Sequence, residues 1–370
     1  MTYQNQSGFF IAKEGEILSE SRKNIFQVRW IKFSSGERMP FLVRISTGIP
    51  ISSAMYWIIA HRRAGGRQPN TLCNELRALM FLFLWADARG IDVEERLREG
   101  TFFTLTEVID LANVCGQYID HILSKVNVDA VHSLKCIGKS RKKRASIKSS
   151  EKRNRLAAVR SFVEFTSADI LSQLSPWPHR WNFYNDVRDQ CLGFIEAQTG
   201  PAPKHSNDMG MPEGLNPDTL ARLRSVIEPN HPENPFSPNV RFRNYLLIRM
   251  LIEAGLRRGE LLGIRVSDCS LGRDATIAIH RRPDDPDDPR LYKPSTKTAA
   301  RLLALSGRTS ELLHEYVVRH RSKIPGARGH PFLFVDVTTG LPLSLSSVNK
   351  ILRKIRKKFR VCLITLPPIC

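Results

Sequence analysis

The sequence predicts a mainly α-helical protein with a small antiparallel β-sheet, built as a helical domain followed by an α+β domain. Three observations carry this reading. Apolar residues recur at helical spacing from about 51 to 200. The stretch from Thr199 to Glu213 is rich in Pro, Gly and polar residues, lacks periodicity and reads as a linker. Beyond it, helical stretches are interrupted by short strand-like runs, Ala275 to His280 and Leu291 to Leu305. The expected divisions are therefore a β-rich N-terminal segment at 1–50, a helical domain at 51–198, the linker at 199–213 and the second domain at 214–370.

In the first segment, Phe26 to Phe33 and Phe41 to Ile45 alternate weakly around Ser34-Ser-Gly-Glu, the pattern of a hairpin or of two short strands. Such an element serves as a small cap or as an accessory contacting arm. Asn70-Thr71 can cap a helix carrying Leu72, Leu76, Leu79, Met80 and Phe83, with Gly90 closing it. Thr104-x-x-Glu107 is a capping-box pattern opening a helix through Val108, Leu111 and Cys115. A third helix starts near Ser150, with Leu156, Val159, Phe162 and Val163 on one side. In the second domain, Asn216-Pro217 opens a helix with Leu220, Leu223 and Ile227 as its apolar stripe. Arg281 to Arg290, dense in Pro and Asp, must be a loop. Leu291 to Leu305 reads as two strand pieces joined by a turn at Lys297. A helix at Glu311 to Arg319, a strand at Phe332 to Val335 and a basic helix from near Ser344 follow.

Charge bounds the function class. Lys and Arg number 56 against 36 Asp and Glu, a net charge of +20 that favours a polyanionic partner, nucleic acid before an anionic membrane surface. The excess concentrates at Lys139, Arg141, Lys142, Lys143, Arg144, Lys148, Lys152, Arg153 and Arg155, where Glu151 is the single acid between Lys139 and Arg160. Such a ridge can lie along a phosphate backbone, giving affinity without sequence information, or can be a solvated loop and helix face. The seven cysteines are scattered and no His stands at zinc spacing from them, so neither a metal nor a disulfide framework is expected. No signal peptide or membrane span is legible, since the longest apolar run, Ala78 to Ala86, is too short to cross a bilayer. A cytoplasmic protein is expected.

The chain is organised around Glu253 to Asp268. An apolar helix, Tyr245 to Ile252, runs into Gly255, and Arg257 follows that break. A second amphipathic turn begins at Glu260, three residues on and therefore on the face of Arg257, with Leu261, Leu262 and Ile264 inward. An arginine at a rigid corner can grip a phosphate in two-pronged geometry, or can simply sit in water.

Ala254-Gly-Leu-Arg257-Arg-Gly-Glu260 resembles the first catalytic box of the tyrosine recombinase, or phage integrase, family. Ser295-Thr-Lys297-Thr-x-x-Arg301 is similar to that family's β-hairpin lysine segment, and the helical region with its basic ridge to its core-binding domain. The resemblance implies a catalytic domain at 214–370 and transesterification at a DNA phosphodiester. In that chemistry Arg257 holds the non-bridging oxygens, Lys297 protonates the leaving oxygen and Glu260 fixes the cationic groups. It implies double-stranded DNA as partner, a tetramer on DNA for a full-length protein, and no cofactor. Arg258 is then a surface or phosphate-contacting residue, and Arg301 pairs across the hairpin. The sequence departs from the pattern in one respect. Residues 1–370 contain no His-x-x-Arg, and the seven tyrosines lie upstream of where that box and the nucleophilic Tyr are expected. The expectation is a recombinase truncated before those groups, for which cleavage by this chain alone is left open; the alternative is a non-catalytic DNA-binding protein competing for a recombination site.

Overall fold

The computed structural model describes residues 25–120, 122, 147–200, 216–272, 274–294, 296 and 298–359. The fold is mainly α with small antiparallel sheets, as the sequence predicts. The chain forms two compact units, one of Met1–Arg29 with Pro40–Pro203, the other of Trp30–Met39 with Lys204–Cys370.

Strands β1 (Phe26–Lys32) and β2 (Arg38–Arg44) pair as the expected hairpin. The remainder of the first unit is helical: α1 (Ser52–Tyr56) running into a π-helical turn (Trp57–Arg63), α2 (Pro69–Asp87), α3 (Val93–Glu99), α4 (Leu105–Cys115), α5 (Ser149–Leu174) and α6 (Pro178–Thr199). The capping box at Thr104 and Glu107 forms as expected. The helix expected to start at Asn70-Thr71 begins instead at Pro69 with Gln68 as its cap, because proline is preset for the first helical position. Leu156, Val159, Phe162 and Val163 are fully buried on α5, and Phe162 meets Trp57 and Phe83 edge-on. These rings and the apolar face of α2 make the core of this unit.

In the second unit, α7 (Pro217–Val226) is capped by Asn216, whose side chain accepts from the Asp218 and Thr219 N–H groups. Helix α8 (Pro238–Glu253) is followed by α9 (Arg258–Gly263) and by a three-stranded antiparallel sheet of β3 (Cys269–Ser270), β4 (Thr276–Ile279) and β5 (Arg301–Ala304), with β4 central. Helices α10 (Gly307–Glu315) and α11 (Leu345–Phe359) complete it. Leu246, Leu247, Met250, Leu261, Ile277, Leu313 and Val348 meet in one core.

Two expectations are corrected here. Among the described residues of Leu291 to Leu305, β5 alone is a strand rather than one of two, and it pairs with β4 in the register Ile279↔Arg301. The connection between them is held by side chains rather than by a ladder. Lys293 donates to the carbonyls of Arg282 and Pro283, Arg290 to those of Leu262 and Leu343, and Pro294 has no N–H to offer a partner strand. Phe332 to Val335 is not a strand either. It makes isolated bridges, Arg265↔Phe332 and Val335↔Pro342, because prolines at 331 and 342 interrupt any ladder.

The acidic loop is neutralised from within its own unit. Arg38, 2% exposed, donates to the carbonyls of Asp285, Asp288 and Arg290, and Lys32 donates to that of Asp288 at 2.7 Å. Arg265 makes two 2.8 Å hydrogen bonds to the Asp285 carboxylate, and Arg290 pairs with Asp288 at the same distance. Gly36, at φ +86°, lies so close beneath the loop that a Cβ would meet the Asp284 carbonyl oxygen at 2.5 Å.

Candidate active site

Helix α8 ends where the sequence places its end, and Gly255 takes the left-handed conformation at φ +58°. Leu256, 2% exposed, anchors the chain beyond the break. Arg257 therefore sits as the residue that caps α9, its direction set by packed residues on both sides. Its backbone N–H donates to the Glu260 carboxylate at 3.0 Å, and its Nη1 reaches the other carboxylate oxygen at 3.4 Å.

The segment leading into β5 arrives at the same carboxylate. Thr298 Oγ1 donates to Glu260 Oε1 at 2.6 Å; Arg301 Nη2 donates to Oε2 at 2.8 Å, and its Nη1 reaches Oε1 at 3.3 Å and Thr298 Oγ1 at 2.6 Å. Thr296 also lies against α9, its hydroxyl 3.9 Å from where a Cβ on Gly263 would stand. Two sequence segments about forty residues apart thus close on one acidic side chain.

The Glu260 side chain has no solvent exposure. Burial by itself pushes its pKa up, but hydrogen bonds from Arg301, Thr298 and the Arg257 N–H outweigh that and bring it down to about 2. The carboxylate is therefore charged throughout the physiological range. Two guanidiniums flank one carboxylate, which leaves the corner with net positive charge. Arg257 remains 47% exposed and Arg301 32%. A half-open guanidinium on a rigid turn can grip a pair of phosphate oxygens.

Other residues singled out from the sequence distribute as follows. Lys297 lies outside the described residues, as do Lys139, Arg141, Lys142, Lys143 and Arg144. Lys148 is exposed ahead of α5, and Lys152 and Arg153 are half-buried in its first turns. Arg155 is withdrawn from the surface: it is 7% exposed, donates to the carbonyls of Cys115 and Gln117, pairs with Glu151 and stacks 3.6 Å over the Phe81 ring. Its expected contact with DNA is corrected to a structural role, since those contacts occupy the guanidinium. Arg258 donates to Asn349 on α11. Arg301 pairs across the sheet through its backbone, but its side chain turns to Glu260. Sequence reasoning assigned no role at Glu260 to Thr298 or to the Arg301 side chain. Their spacing after Lys297 was the available signal.

Helix α11 buries Val348, Ile351 and Ile355 and exposes Lys350, Arg353, Lys354, Arg356, Lys357 and Lys358, with no acid in its sequence. Tyr316 is buried and its hydroxyl is pushed up to about 12 by that burial; Tyr245 is 7% exposed, and Tyr292 is exposed with its ring edge-on to Trp30. Among the described residues, no group of three or more His, Cys, Asp or Glu side chains is placed to hold a metal ion, and no helix is long and apolar enough to cross a membrane.

No protein-family model and no curated protein matches the sequence. Among solved structures, the chain is similar to the XerH site-specific recombinase bound to palindromic difH substrate in a post-cleavage complex. The identity is 17% and the TM-score 0.36, over 79% of this chain and 82% of that one. It is also similar to the pre-cleavage complex of XerH with difH, at 17% identity and a TM-score of 0.34 over 77% of this chain and 79% of that one.

Proposed function

We propose that this protein binds double-stranded DNA and acts on its backbone as a site-specific recombinase of the tyrosine recombinase type, with the scissile phosphate held at Arg257. The observation that carries the reading is the convergence of the Arg257–Glu260 turn and the Thr298–Arg301 segment on one buried carboxylate. These are the two stretches whose residues resemble that family's arginine box and lysine segment. In the reaction, a tyrosine hydroxyl attacks phosphorus and displaces the deoxyribose 5′-oxygen, leaving a 3′-phosphotyrosyl bond that can be reversed. Arg257 neutralises charge building on the non-bridging oxygens, and Lys297 gives a proton to the departing 5′-oxygen. The cationic face of α11 and the basic residues 139–153 supply contacts to flanking phosphates. Four such protomers on DNA, acting in the cytoplasm, complete the proposal.

A second reading, binding without cleavage by these residues alone, is favoured by two tyrosines of the unit that carries Arg257, Tyr245 and Tyr316, which are enclosed in its core while Tyr292 is exposed and stands edge-on to Trp30, and by the lack of a His-x-x-Arg in residues 1–370. Incubation with nicked duplexes that trap covalent intermediates separates the two. A protein–DNA band resistant to denaturant supports cleavage. Duplex binding that weakens steeply with salt, without such a band, supports the second reading. Binding insensitive to salt contradicts both.

A further inference from the structure

We infer that Arg301 is a positioning residue that occupies the Glu260 carboxylate and so leaves the Arg257 guanidinium available to a backbone phosphate. The inference rests on the phosphate role proposed for Arg257 and adds the reason that role is open to it. A buried carboxylate takes up every cation within reach, because an unpaired charge there is costly. Here the oxygens of Glu260 are filled by close donors: Arg301 at 2.8 Å, Thr298 at 2.6 Å and the Arg257 backbone N–H at 3.0 Å. Among the described residues, the Arg257 guanidinium makes one hydrogen bond, the longest of the set at 3.4 Å, and it is the more exposed of the two arginines. With Arg301 neutralised, Arg257 becomes the nearest compensating cation among the described residues, and its side chain turns inward to a two-pronged pair with Glu260. The phosphate then competes with an internal carboxylate for the same donors.

The test reads the Arg257 side-chain resonance in the full chain, labelled with ¹⁵N-arginine and identified by its loss in R257A. Inorganic phosphate is titrated at constant ionic strength, with chloride as the control. In the wild type the Arg257 signal moves with phosphate. In R301Q the apparent Kd rises about tenfold or more, the scale of one hydrogen bond to a charged group. R301K keeps the charge and holds the Kd near the wild-type value. The double variant R301Q/E260Q, which removes the competing carboxylate, regains the response, and in R301Q the arginine resonances other than Arg257 keep their wild-type positions; a merely structural Arg301 would shift them together with the melting temperature. A wild-type response retained in R301Q, or a double variant that stays silent, overturns the inference and leaves the phosphate role standing. An unresponsive wild-type Arg257 removes the phosphate role itself, and the inference with it.

Discussion

Replacing Glu260 by Gln keeps the side-chain volume and removes one buried charge, so its effect on stability is tied to pH in a way that can be worked out. The carboxylate has its pKa lowered from the ordinary 4.5 to about 2 in the folded chain, burial opposing and hydrogen bonds from Arg301, Thr298 and Arg257 driving the change. A depressed folded value means a contribution fully present above the unfolded pKa and lost as pH falls through the folded one. At about 1.4 kcal/mol per pH unit, the ionised form contributes about 3 kcal/mol at pH 7 and about 1 kcal/mol at pH 3. The stability gap between wild type and E260Q should therefore narrow by about 2 kcal/mol between pH 7 and pH 3. Urea unfolding at the two pH values measures it, following the transition that E260Q displaces, since two units need not unfold together. The glutamine's own hydrogen bonds shift the gap equally at both pH values and cancel in the comparison. A gap that is constant with pH refutes the account of Glu260 as a charged, fully bonded hub.

Three other outcomes follow from the packing and the charge. R38A removes a buried guanidinium that donates to the carbonyls of Asp285, Asp288 and Arg290, and should destabilise its unit by about 2–4 kcal/mol, with faster amide exchange across 281–290. R155A should lower the melting temperature while leaving the salt slope of DNA binding unchanged, whereas neutralising Arg141 to Arg144 together should flatten that slope; the opposite pattern contradicts the reassignment of Arg155. Changing Arg353, Lys354 and Lys357 on α11 to Gln should reduce the salt slope by about one for each phosphate left without its cation, with little effect on folding because all three side chains are exposed.

What the sequence made legible were features written within a few residues of one another. The Thr104 and Glu107 capping box, the left-handed Gly255 and the amphipathic stripe of α11 are local patterns, and each is found where its residues put it. Helix α6 escaped notice because Tyr184, Cys191, Leu192 and Ile195 are the only fully buried positions across its length, too sparse for a clear period. The loop at Arg281 to Arg290 gives no sign of its partner Arg38, some 250 residues away, because a side chain donating to backbone carbonyls across that separation leaves no local signature. The candidate site fell between these cases. Arg257 and Glu260 are a spacing that helical geometry explains, but Thr298 and Arg301 reach Glu260 only once β5 has paired with β4, a non-local event.

Whether Arg257 and Lys297 serve one phosphate is decided by their distances from it in the structure of this chain bound to duplex DNA. The account predicts both side-chain nitrogens within about 3 Å of oxygens on the same backbone phosphate, charge-assisted hydrogen bonds in each case. Arginine and lysine on different phosphates, or on opposite sides of the unit, would contradict it.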